Sequence, residues 1–87
     1  MAHVIVERSF PSPYTKPEMD AVGQRIAGCL ELYQVKWLRS YLSPDRRRMI
    51  CEYEASDAES VRIVQQEAEA RYDRVWVAEV LAPERPL

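Results

Sequence analysis

Apolar and polar positions alternate with two different periods along this chain, and the switches between them outline six elements. His3 to Ser9 is a β-branched run of alternating character, closed by Phe10-Pro11-Ser12-Pro13, whose prolines forbid further pairing. Beyond it, Met19, Val22, Ile26, Cys29, Leu30 and Tyr33 recur at helical spacing. Thr15-Lys16-Pro17-Glu18 supplies a start signal: a hydroxyl to cap free amides, a glutamate three residues on, and a proline where no hydrogen bond is lost. This predicts an amphipathic helix of about four turns. Gly23 and Gly28 lie within it and offer a route to close helix–sheet contact.

Val35 to Ser43 and Arg48 to Ala55 read as two strands joined by Pro44-Asp45-Arg46-Arg47, good type I turn chemistry. A four-residue loop pairs Ser43 with Arg48, Tyr41 with Ile50, Arg39 with Glu52 and Trp37 with Glu54. On the opposite face it pairs Leu42 with Met49, Ser40 with Cys51 and Leu38 with Tyr53, an apolar or small set. Ser56-Asp57-Ala58-Glu59 repeats the capping spacing ahead of a thinner stripe, Val61, Val64, Ala68 and Tyr72. Val75 to Ala82 is the last expected strand. One domain over residues 1–82 is therefore expected, with a proline-containing tail over 83–87.

The order β-α-β-β-α-β joins two right-handed βαβ halves into a four-stranded antiparallel sheet of order 4-1-3-2 under two helices. That is the α+β, ferredoxin-like fold.

Because the helices cover one face only, side-chain parity separates two surfaces. The covered face takes Val4, Val6, Leu38, Leu42, Met49, Cys51, Tyr53, Ala78 and Val80. The open face takes Ile5, Glu7, Trp37, Arg39, Tyr41, Ile50, Glu52, Val77 and Glu79. Half apolar and rich in carboxylates, that surface suits a second protomer laid face to face around an enclosed cavity. Glu79, Glu7, Glu52 and Arg39 fall on successive strands, so a contiguous row is expected. Close carboxylates persist together with protons, an arginine or a bound cation. Glu7, Trp37, Arg39, Tyr41, Glu52 and Glu79 are thus the expected ligand-binding set. His3, the only histidine, shares parity with Glu7, and His3, Glu7 and Glu52 are the candidate metal ligands.

Composition narrows the partners. With 12 Lys and Arg against 14 Asp and Glu, the net charge of −2 supplies no attraction for nucleic acid or anionic lipid. Strands one and three carry Ile5, Glu7, Ile50 and Glu52 where RNA-binding relatives of the fold stack bases on aromatics. No apolar run approaches the roughly 20 residues of a membrane span, and charge at Glu7 and Arg8 comes too early for a secretory segment. A cytoplasmic protein is expected. Cys29 and Cys51 read as free thiols in apolar settings, and Arg46-Arg47-Arg48 as a solvated hairpin tip. At 87 residues the core is small, and association through the open face is a natural remedy.

Val6-Glu7-Arg8-Ser9-Phe10-Pro11, Trp37-Leu38-Arg39-Ser40-Tyr41-Leu42-Ser43, Cys51-Glu52-Tyr53-Glu54-Ala55 running into Asp57-Ala58-Glu59, and Arg74-Val75-Trp76 together resemble a family of small bacterial domains of unknown function. One branch of that family is known as nickel-responsive, nickel-binding proteins. The resemblance implies a ferredoxin-like homodimer in the manner of dimeric α+β barrels, with nickel or another divalent metal as ligand and no organic cofactor. Two functions are expected from these readings: a non-catalytic dimeric protein binding a metal or small ligand, or a cofactor-free barrel enzyme (monooxygenase, isomerase or decarboxylase type) with a buried glutamate as base.

Overall fold

The computed structural model describes residues 1–85, and the last two residues of the expected tail, Pro86 and Leu87, lie outside them. Strands β1 (Ala2–Ser9), β2 (Lys36–Leu42), β3 (Arg48–Ala55) and β4 (Arg74–Ala78) alternate with helices α1 (Lys16–Leu30) and α2 (Ala58–Glu67) in the expected order. They form one antiparallel sheet, β2-β3-β1-β4, the ferredoxin-like arrangement. No described helix is long and apolar enough to cross a membrane.

Local signals account for most boundaries. Thr15 caps α1 in a complete capping box with Glu18. The cap of α2 is Asp57, one residue beyond the expected Ser56, because the Asp57 carboxylate reaches the Ser60 amide at 2.8 Å. Both helices close in left-handed turns. Gln34 and Glu69 adopt φ of 55° and 53°, with bonds from Val35 N–H to Leu30 C=O and from Ala70 N–H to Gln65 C=O.

The hairpin tip is less solvated than its arginines suggest. Phe10 N–H donates to the Arg47 carbonyl and Tyr14 N–H to the Arg46 carbonyl. In return, Arg46 Nε reaches the Tyr14 carbonyl at 2.7 Å and Arg47 Nη2 the Pro11 carbonyl at 2.7 Å. The tip therefore clamps the β1–α1 loop, where the rings of Phe10 and Tyr14 stack 4.0 Å apart.

The core lies between the sheet and the helices around Val4, Val6, Cys51, Tyr53, Ala55, Val61, Val64 and Val75. The helix with the thinner stripe supplies it: α2 buries Val61, Val64 and Gln65, whereas α1 buries no residue fully. Gly23 and Gly28 do not serve close packing, since a Cβ at either would meet nothing within 4 Å. Cys29 and Cys51 are free thiols, half-buried and buried respectively.

Two registers depart from expectation. Between Trp37 and Arg39 the β2–β3 ladder shifts by one residue, so Trp37 pairs with Tyr53 in place of Glu54. This irregularity at Leu38 carries Trp37 to the helix-covered side, where it lines a cavity with Tyr53 and Cys51. Strand β4 also has the opposite parity. Val75 pairs with Val6 on the covered side, and Trp76 pairs with Ile5 on the open side. The strand stops at Ala78, and Ala82 and Arg85 pair across a short turn instead of extending it.

Candidate functional site on the open sheet face

The open face is built from β1, β2, β3 and β4 around Ile5, Glu7, Arg39, Tyr41, Ile50, Glu52 and Trp76, by the registers above. Tyr41, Ile50 and Trp76 are 55%, 42% and 45% exposed, so three large apolar side chains meet solvent on one surface.

Two carboxylates on this face are engaged in different ways. Glu52, opposite Ile5, accepts from or shares a proton with His3 Nε2 at 2.8 Å, a diagonal contact between β1 and β3. Arg39 Nε lies 3.9 Å from its other oxygen. Burial opposes the charge of Glu52, but the Tyr41 hydroxyl, His3 and the Arg39 charge together hold its carboxyl below the usual range. The same neighbourhood pushes the Tyr41 phenol up, chiefly through Glu52. Glu7 is closed on both sides: Trp76 Nε1 donates to Oε2 at 2.7 Å and Arg74 Nη2 to Oε1 at 3.0 Å. The Trp76 bond leads in lowering its pKa, with the Arg74 charge also acting against the opposing effect of burial.

His3, Glu52, Arg39 and Tyr41 are thus brought together, with Glu7 one diagonal step away. Trp37 leaves the set because the Leu38 irregularity turns it to the helix side, where its indole donates to Ser40 Oγ at 3.0 Å. Glu79 leaves the expected row because β4 ends before it. It lies exposed at the far end of the sheet, lining a hollow with His3 and Glu54, while Arg74 and Trp76 take the places beside Glu7. Among the described residues no three His, Cys, Asp or Glu side chains gather as a metal site. Parity reasoning missed Trp76 and Arg74, although their motif, Arg74-Val75-Trp76, stood out in the sequence.

The described arrangement matches a known family. The family described as "Nickel responsive protein SCO4226-like" aligns with residues 5–77. The chain belongs to that family. SCO4226 from Streptomyces coelicolor A3(2), known from a crystal structure, superposes with a TM-score of 0.82 over 93% of this chain and 100% of that one. At 18% identity this likeness establishes the shared fold. No curated protein matches the chain significantly. The single histidine of this member of the SCO4226-like family is His3.

Proposed function

We propose that the protein is a non-catalytic homodimer that binds a divalent metal ion, nickel foremost, at the open sheet face. The observation carrying this reading is the His3–Glu52 pair, 2.8 Å apart, whose side chains are 20% and 13% exposed. An imidazole nitrogen beside a carboxylate oxygen is a donor set suited to nickel, copper or zinc. The family name points to nickel among these.

The donor set tests the fit. One chain brings two adjacent donors, His3 and Glu52, which bond to each other and would exchange that bond for the metal. Both oxygens of Glu7, in contrast, are held by Arg74 and Trp76. Two donors are half of a square-planar shell. A second copy supplying its own His3 and Glu52 completes it, and Tyr41, Ile50 and Trp76 offer the apolar surface for that association. When bound, the metal would bring its charge and Lewis acidity to the interface. Glu52, kept ionised by Tyr41, His3 and Arg39, would supply the negative charge facing it. An enzyme with a glutamate base needs a carboxyl pushed up by burial; Glu7 and Glu52 are both held low, which favours cation binding.

The test is metal analysis of untagged protein, then nickel titration by calorimetry with sedimentation in parallel. Saturable uptake at micromolar nickel, coupled to dimer formation and lost in His3→Ala and Glu52→Ala, is expected. Absence of uptake, or uptake unchanged in both variants, overturns the reading.

A further inference from the structure

The opposite side of the sheet holds a feature that the open-face reading leaves unused. Between α1 and the sheet is a cavity of about 380 Å³, within the size range of small-ligand sites. Its walls are mostly apolar: Met19, Val22 and Ile26 of α1 face Met49, Cys51 and Tyr53 of β3. Trp37, 53% exposed on edge strand β2, belongs to the same wall. This cavity is why α1 buries no residue fully although it has the longer apolar stripe.

One charged residue lines the cavity, Arg8. It is 6% exposed and shares the parity of Val4 and Val6. Its guanidinium donates to Gln65 Oε1 at 2.7 Å, to the Arg71 carbonyl at 2.8 Å and, at 3.5 Å, to the Tyr53 hydroxyl. All three acceptors are neutral, since burial pushes the Tyr53 phenol up and keeps it protonated. No described carboxylate lies within ion-pair distance of Arg8. Guanidinium does not give up its proton inside proteins, so the charge stays. A buried cation solvated by neutral groups but not neutralised is costly, and an anion arriving beside it recovers that cost.

We infer that the cavity between α1 and the sheet binds a small amphiphilic carboxylate, its apolar body against Met19, Val22, Ile26, Met49 and Cys51 and its carboxylate paired with Arg8. A medium-chain fatty acid such as decanoate has this chemistry. Charge complementarity selects the acid over the corresponding alcohol, and a guanidinium has five N–H donors, of which the bonds to Gln65, Tyr53 and the Arg71 carbonyl use three.

The test is titration of ¹⁵N-labelled protein with decanoate and with decanol, followed by amide shifts. Decanoate is expected to shift the Gly23, Ala27, Met49 and Cys51 amides saturably, with decanol at least about tenfold weaker. Gly23 lines the cavity and has open space at its Cβ position, so Gly23→Leu fills it without backbone strain and is expected to abolish binding. Gln65→Glu gives Arg8 an internal counter-ion and is expected to weaken decanoate at least about tenfold. No shift up to about 1 mM decanoate, equal binding of decanol, or full binding in Gly23→Leu overturns the inference. So do shifts at these amides on raising protein concentration alone, which assign the cavity to a second copy.

Discussion

The indole of Trp76 and the carboxylate of Glu7 bond across the β1–β4 pair at 2.7 Å, with Arg74 closing the carboxylate from its other oxygen at 3.0 Å. The contact ties an edge strand of only five residues to the centre of the sheet. It also satisfies the charge of Glu7 within the chain.

This arrangement predicts acid sensitivity. The Trp76 hydrogen bond, with the Arg74 charge, lowers the Glu7 pKa in the folded state against the effect of burial. Between the folded and unfolded pKa values the unfolded chain binds more protons, so stability rises with pH there. The contribution is complete above the ordinary glutamate value of about 4.3 and is lost as pH falls through the lower folded value. Urea midpoints measured from about pH 3 to 6 should therefore drop on the acid side, and the drop should be shallower in Glu7→Gln. Glu52, also held low, contributes a drop of the same sign that Glu52→Gln removes.

The helix-closing turns predict stabilising substitutions. Gln34 and Glu69 hold left-handed backbone that favours glycine. Gln34→Gly and Glu69→Gly should each stabilise by about 0.5–1 kcal/mol. Gly28 sits inside α1 with nothing within 4 Å of the place a methyl group would occupy, so Gly28→Ala should add about 0.8 kcal/mol. Thermal and urea denaturation measure all three.

At the hairpin tip two effects oppose each other in one residue. Arg46 has φ of 61°, and its Nε donates to the Tyr14 carbonyl. Arg46→Ala keeps the unfavourable backbone and loses the bond, so it should cost about 1 kcal/mol or more. Arg46→Gly loses the bond but relieves the backbone, and should come out near neutral. In both variants hydrogen exchange at the Phe10 and Tyr14 amides should accelerate, because both donate to the tip.

Fold and site were legible to different depths. The hairpin registers as expected from Leu42–Met49 to Arg39–Glu52, because loop length and alternation agree there. It departs at Leu38, where neither glycine nor proline marks the irregularity, and Trp37 changes face with it. In β4, Val75, Trp76, Val77 and Ala78 are apolar on both parities, so alternation has nothing to discriminate. The partners decide: Val6 takes Val75 into the core, and Glu7 takes the Arg74 and Trp76 side chains outside. Burial of Arg8 had a readable signal in its shared parity with Val4 and Val6. Among its neutral partners Tyr53 lies on the neighbouring strand, but the two shorter bonds go to Gln65 of α2 and the Arg71 carbonyl, which no local pattern connects to β1.

Those neutral partners set the last prediction. Gln65 is fully buried, giving Oε1 to Arg8 while its Nε2 has no hydrogen-bond partner. Gln65→Glu turns a neutral acceptor into a charged one with almost no change in shape, and sets a second carboxylate oxygen where Nε2 had no partner. A hydrogen bond to a charged group contributes about 1.5–3 kcal/mol, against which stands the desolvation of the new carboxylate and of its unpartnered second oxygen. Because the Arg8 charge is already buried, only one new charge is desolvated, and the variant should be more stable than wild type at neutral pH. The introduced carboxylate should have a lowered folded pKa, so the gain should be present above the ordinary value and fade in acid. Urea midpoints of Gln65→Glu and wild type at about pH 7 and pH 4 check both parts. A variant less stable at neutral pH would show that the neutral shell already solvates Arg8 as well as a carboxylate can.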